Sequence, residues 1–129
     1  MTINDILNAK ESLTKLNKIK FNNFRTISNI YKLTKKVNSI LELLQQENEK
    51  IIDIYVLKDS NGKPLIKNNQ YQFETVEKKD SFIKESNKLR FEEVSDITKI
   101  DININDIQVS LDFSSEDMIK LDSMINWIE

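Results

Sequence analysis

A chain of 129 residues has room for one domain around a single core, and 39% apolar against 31% charged residues lets it fold beneath a heavily charged surface. A net charge of −2 argues against a dedicated DNA or RNA binder, which concentrates Lys and Arg. The chain has neither cysteine nor histidine. That removes disulfides, thiolate ligands, nucleophilic thiols, and the side chain most used as metal ligand and general base near neutral pH.

One glycine, Gly62, and one proline, Pro64, cannot build a glycine-rich phosphate loop, so Rossmann and P-loop enzymes are excluded. Carboxylate-only metal sites and Asp/Glu catalysis survive these filters. The opening MTINDILNAKESL lacks an uninterrupted apolar core, and no run approaches the ~20 apolar residues that span a bilayer. A cytoplasmic protein with no membrane partner is expected. A local basic patch is available in the first third, at Lys10, Lys15, Lys18, Lys20, Arg25, Lys32, Lys35 and Lys36.

In chain order, Thr2 or Asn4 can cap a first helix with Ile3, Ile6, Leu7, Leu13 and Leu16 on one side. The paired Asn22 and Asn23, bracketed by Phe21 and Phe24, favour a turn or cap. Asn23 or Thr26 then starts a second helix running to about Lys50. Its seam of Ile30, Leu33, Val37, Ile40 and Leu44 has heptad spacing, widened by Leu41. The seam suits either the inside of an antiparallel helical hairpin or a homodimer interface.

From Ile51 the β-branched run IIDIYVL reads as a strand, DSNGKP as its turn, and LIKNNQYQFETV as the returning strand. Asp80 or Ser81 can cap a short helix containing Phe82, Ile83 and Leu89. FEEVSDI, KIDININ and IQVSLDF read as three further short strands. Ser114 or Ser115 opens a terminal helix whose apolar face is Met118, Leu121, Met124, Ile125 and Ile128, beside Trp127. The expected fold is α+β in a single domain, 1–129. Residues 1–50 form an antiparallel helical hairpin, packed with a small mostly antiparallel sheet and a C-terminal helix in 51–129.

Two arginines stand among seventeen lysines. An arginine fork grips phosphate or carboxylate in two places and stacks on rings, whereas lysine is a point charge. Arg25 follows FNNF, and Arg90 lies between Phe82 and Phe91. Rings, guanidinium forks and Asn amides are the groups that read a nucleotide. The plain alternative makes Phe21, Phe24, Phe82 and Phe91 core and both arginines surface ion-pair partners.

Asp101, Asp106 and Asp112 could hold a hard cation, but their spacing matches no calcium loop, and solvated or turn-forming Asp is the simpler account. Asp117 and Asp122 read as a solvated helix face and an N-terminal charge. Tyr55 and Tyr71 read as a cross-strand pair. Ser114 and Ser115 lack a base, so no catalytic residue and no metal ligand is assigned.

Abundant Asn, Lys and Ile resemble proteins of AT-rich bacteria and their phages. The helical hairpin with an arginine after its turn, the Lys58–Pro64 turn KDSNGKP, and the acidic-start final helix ending in Ile-Asn-Trp-Ile-Glu resemble small phage proteins. Among these the layout is similar to the phage Thoeris anti-defence sponges, which bind cyclic ADP-ribose isomers and hold them uncleaved. The resemblance implies an oligomer, at least a dimer, with a pocket at or near the subunit interface and no cofactor. Phe82 and Phe21 would stack the base, Arg25 and Arg90 would neutralise the pyrophosphate, and Asn23 would bond a ribose or the base edge. No local motif assigns a role to Asn22 or Lys88. A protein-interaction or assembly module working through its long helix is the alternative, and a carboxylate enzyme with a bound cation ranks behind both.

Overall fold

The computed structural model describes residues 1–107 and 113–129, so most of the expected strand IQVSLDF, with Asp112, lies outside the described residues. Among the described residues four α-helices and two two-stranded sheets make an α+β fold. The chain divides into two compact units, Met1–Ile40 with Glu93–Glu129 and Leu41–Glu92.

The first unit opens with α1 (Ile3–Leu16). Thr2 caps it reciprocally with Asp5, each side chain bonding the other's backbone N–H at 2.8 and 3.2 Å. Ile3, Ile6, Ala9, Leu13 and Leu16 are buried at helical spacing. In the first half of α2 (Phe24–Tyr55), Ile30, Leu33 and Val37 are buried while Ile40 is half-exposed. Asn17, just past α1, donates to Thr34 Oγ1 at 2.9 Å, and Thr34 lies ten residues into α2. The connection 17–23 therefore runs back along the first turns of α2, with Phe21 buried beneath it.

The terminal segment departs from the expected helix. α4 (Ser115–Lys120) is capped by Ser114, whose hydroxyl accepts from the Asp117 N–H while the Asp117 side chain accepts from the Ser114 N–H, and it ends after six residues. Ile125–Ile128 is a strand, β4, parallel to β3 (Ile100–Asn103), with Ile102 opposite Trp127. The small sheets are thus one parallel and one antiparallel pair, rather than mostly antiparallel. Met124 and Ile125 are buried as expected. Side chains at three- and four-residue spacing suggested a helix, but INWI is β-branched and aromatic and finds a strand to pair with. Trp127 is half-buried, its indole N–H donating to the Met118 carbonyl at 3.1 Å.

The second half of α2 overturns the expected strand at IIDIYVL, because the helix continues to Tyr55. Val37, Leu44 and Ile51, all buried, recur every seven residues, so the apolar seam passes straight through. Leu57 and Lys58 then extend into the turn around Gly62, whose φ of 78° suits glycine. The antiparallel pair β1 (Ile66–Lys67) and β2 (Gln70–Tyr71) closes around Asn68 and Asn69, with φ of 52° and 61°. Asparagine tolerates this left-handed backbone, as a two-residue hairpin requires. α3 (Val76–Arg90) starts earlier than expected, capped by the Thr75 side chain on the Lys78 N–H at 3.1 Å. FEEVSDI forms no strand, only a bridge of Glu93 to Thr2. No helix among the described residues is long and apolar enough to cross a membrane.

Asp117 overturns its expected place on a solvated face. It is 4% exposed, accepts from Ser12 Oγ at 2.7 Å and from the Ser114 N–H at 2.9 Å, and lies 3.5 Å from Lys15 Nζ. The Ser114 backbone bond and then the Ser12 hydroxyl hold its carboxyl down to about 2 from the usual 3.8. A carboxylate with a depressed folded pKa stabilises fully above the unfolded value, and that contribution goes as pH falls through the folded one. Acid titration of unfolding should therefore show stability declining from about pH 3.8 towards about pH 2. Asp117→Ala should remove this acid-dependent component. It should also cost roughly 2–3 kcal/mol at neutral pH by denaturant melting, through a lost cap and an orphaned Ser12 hydroxyl.

Candidate functional site

The first turn of α2 forms one wall of a polar hollow of about 620 Å³ in the first unit. Asn23 caps that turn, its Oδ1 accepting from the Arg25 N–H at 2.9 Å and the Thr26 N–H at 3.4 Å. The cap consumes the carbonyl end of the Asn23 amide and leaves its NH₂ for the hollow. Arg25 and Asn29, one turn apart, share a helix face. Thr26 also lines the hollow, although the residue is only 7% exposed.

The paired strands supply the opposite wall. Asp101 and Asn103 alternate on β3 with the core residue Ile102, and register sets Asn126 and Ile128 beside them. Asp101, Asn103 and Ile128 line the hollow, and Asn126 Nδ2 donates to Asp101 Oδ1 at 3.1 Å. Lys99 and Asp106 complete it from the two ends of this segment. Asn103 Oδ1 accepts from the Asn105 N–H at 2.9 Å, capping the 3₁₀ turn Ile104–Asp106.

Two cations and two carboxylates thus share one hollow, and among the described residues none of Arg25, Lys99, Asp101 and Asp106 closes an ion pair. Elsewhere flexible surface charges do close, as Lys50–Glu47 at 2.9 Å and Lys78–Glu74 at 2.7 Å do. Cations and carboxylates lining one hollow can donate to anionic oxygens from the first and accept from hydroxyls at the second. Among the described residues no group of three carboxylates is gathered to hold a metal ion.

Of the residues singled out from sequence, Asn23 and Arg25 meet at this hollow. Phe21 is buried at 8% exposure. Phe82 belongs to the second unit, where its ring lies 5.9 Å from Tyr71 and 5.2 Å from Phe73. Arg90 is exposed in the last turn of α3, a favourable place for a cation at a helix C-terminus. Neither Phe82 nor Arg90 lines the hollow. Phe24 and Phe91, 81% and 63% exposed, are not core.

Tyr55 and Tyr71 are not a cross-strand pair, since Tyr55 is helical and donates to Glu85 at 2.9 Å. That bond to a carboxylate pushes the Tyr55 phenol up. The reading from sequence missed Thr26, Asn29, Lys99 and Asn103. The four-residue step from Arg25 to Asn29 was the one visible signal for any of them.

Comparison with family models, with curated proteins and with solved structures returns no match for this chain.

Phe82 with Tyr71 and Phe73 forms the aromatic cluster of the second unit. Phe82→Ala should destabilise that unit by about 2 kcal/mol, less than the 3–5 typical of a fully buried ring. Hydrogen exchange should show the loss as faster exchange of α3 amides, with α1 and α4 unchanged.

Proposed function

We propose that this chain binds a cyclic ADP-ribose-type nucleotide signal in the polar hollow and holds it uncleaved, as a phage-type immune-evasion sponge that blocks Thoeris signalling. One observation carries the reading: Asn23 and Arg25, singled out as nucleotide-reading groups, converge with Lys99, Asp101 and Asn103 on one hollow. Its volume of about 620 Å³ lies in the range of small-molecule sites. Arg25 and Lys99 take the pyrophosphate oxygens. Asp101 accepts from ribose hydroxyls, and the Asn23 and Asn103 amides donate. A chain without imidazole or thiol suits holding rather than cleavage.

The reading rests on the first unit alone, without the roles expected for Phe82, Phe21 and Arg90. Among the described residues no aromatic ring lines the hollow, and Ile100 and Ile128 provide its apolar contacts.

A second reading, an interaction module acting through α2, has its own observation. Phe24, Ile27 and Tyr31 are exposed at i, i+3 and i+7 on that helix.

Thermal melting with cyclic ADP-ribose isomers and cyclic di- and trinucleotides separates the two. A ligand at ~100 times its dissociation constant should add about 2.7 kcal/mol of stability. Arg25→Ala should weaken binding at least ~10-fold, as loss of a charge-assisted contact does. Heating the complex should return the signal intact. Cleaved product would make the protein an enzyme, and no shift with any nucleotide would leave the α2 face as the working surface.

A further inference from the structure

A second hollow, of about 230 Å³, adjoins the first, and the two share Asn29 and Ile100 as common lining. Arg25, Asn29, Lys32 and Lys36 follow one another at steps of four, three and four, so a single stripe of α2 runs along both compartments. The smaller compartment differs in character from the larger. Leu33, Ile97 and Ile100 give it an apolar wall, while Asp96, Lys32 and Lys36 stand around that wall. Asp96 closes no ion pair among the described residues, although two lysines line the same hollow.

We propose that the smaller hollow is a base compartment, taking a flat heterocycle whose ribose and phosphate lie in the larger one, and that Asp96 selects a base bearing an exocyclic amine. The inference rests on the nucleotide reading of the larger hollow and adds a specificity to it. A heterocycle needs apolar contact on its faces and polar partners at its edge. The smaller hollow offers both, whereas the larger is mostly polar, with Ile100 and Ile128 as its apolar lining. An ionised Asp carboxylate is an acceptor only, so it bonds an amine and rejects a carbonyl at the same ring position. Asn29, at the waist, has a half-buried amide placed for the junction of base and sugar. Thr26, which lines the larger hollow alone, belongs to the phosphate and ribose end.

The test is calorimetric titration of the full chain with AMP, IMP and ribose 5-phosphate, repeated on Asp96→Asn and Arg25→Ala. AMP should bind at least ~10-fold more tightly than ribose 5-phosphate, and more tightly than IMP by about the same factor, the discrimination that one hydrogen bond to a charged group gives. Asp96→Asn should narrow the preference for AMP over IMP, because an amide can donate to the IMP carbonyl. It should leave ribose 5-phosphate affinity unchanged. Arg25→Ala should weaken all three.

Equal affinity for AMP and ribose 5-phosphate overturns the base compartment and leaves the larger hollow as an anion site. AMP and IMP bound equally, with Asp96→Asn silent, overturns the role of Asp96. If none of the three binds and cyclic ADP-ribose isomers also fail to raise the melting temperature, both the compartment and the nucleotide reading fall.

Discussion

The carboxylate of Asp117 is the contact on which the first unit is organised. It caps α4 from within through Ser114 and accepts the Ser12 hydroxyl of α1, 105 residues away in sequence. A buried carboxylate is costly unless its lone pairs are filled, and here backbone, hydroxyls and a nearby ammonium fill them. The arrangement seats α4 against α1. Once α4 is seated and stops at Lys120, the chain turns through buried Leu121 and Met124 into β4. A parallel pair needs a crossover of a dozen or more residues, and the segment containing α4 supplies it.

The hollow is a consequence of that pairing. β3 alone would present Asp101 and Asn103 on a solvated ribbon. Paired with β4, it buries Ile102 and Ile125 and turns Asp101, Asn103, Asn126 and Ile128 to the other face. Asn126 donates to Asp101 across the strand pair, so the carboxylate that shares the hollow with Arg25 and Lys99 has a partner on its own sheet. Opposite charges kept apart by rigid backbone are what a ligand with anionic and hydroxylated parts needs. The second unit uses a different device, an aromatic cluster of Tyr71, Phe73 and Phe82 and a Tyr55–Glu85 bond.

Part of the site was legible. Two adjacent Asn before a helix mark a turn or cap, so that role of Asn23 followed from local rules, while Arg25 was singled out as a rare arginine beside the rings of FNNF. Phe82 and Arg90 were chosen by the same association of rings with guanidinium, yet they belong to the other unit. Proximity in sequence among Phe82, Arg90 and Phe91 carries no information about which of them share a cavity with Arg25. Lys99 and Asn103 were invisible for the same reason, since nothing local distinguishes them from other polar residues of a short strand.

By itself the sequence determined the apolar faces of the first two helices, narrowed the caps to Thr2 or Asn4, Asn23 or Thr26 and Ser114 or Ser115, marked a strand within KIDININ, and set a chemistry without imidazole or thiol, because each depends on side-chain type and spacing within a few residues. Tertiary structure alone decided that IIDIYVL continues a helix and that INWI becomes a strand. It also placed Asp117 in the interior and set Asn23 and Arg25 opposite Asp101 and Asn103. Those outcomes turn on partners far away in the chain. A β-branched run reads equally well as strand or buried helix until it is known what it packs against.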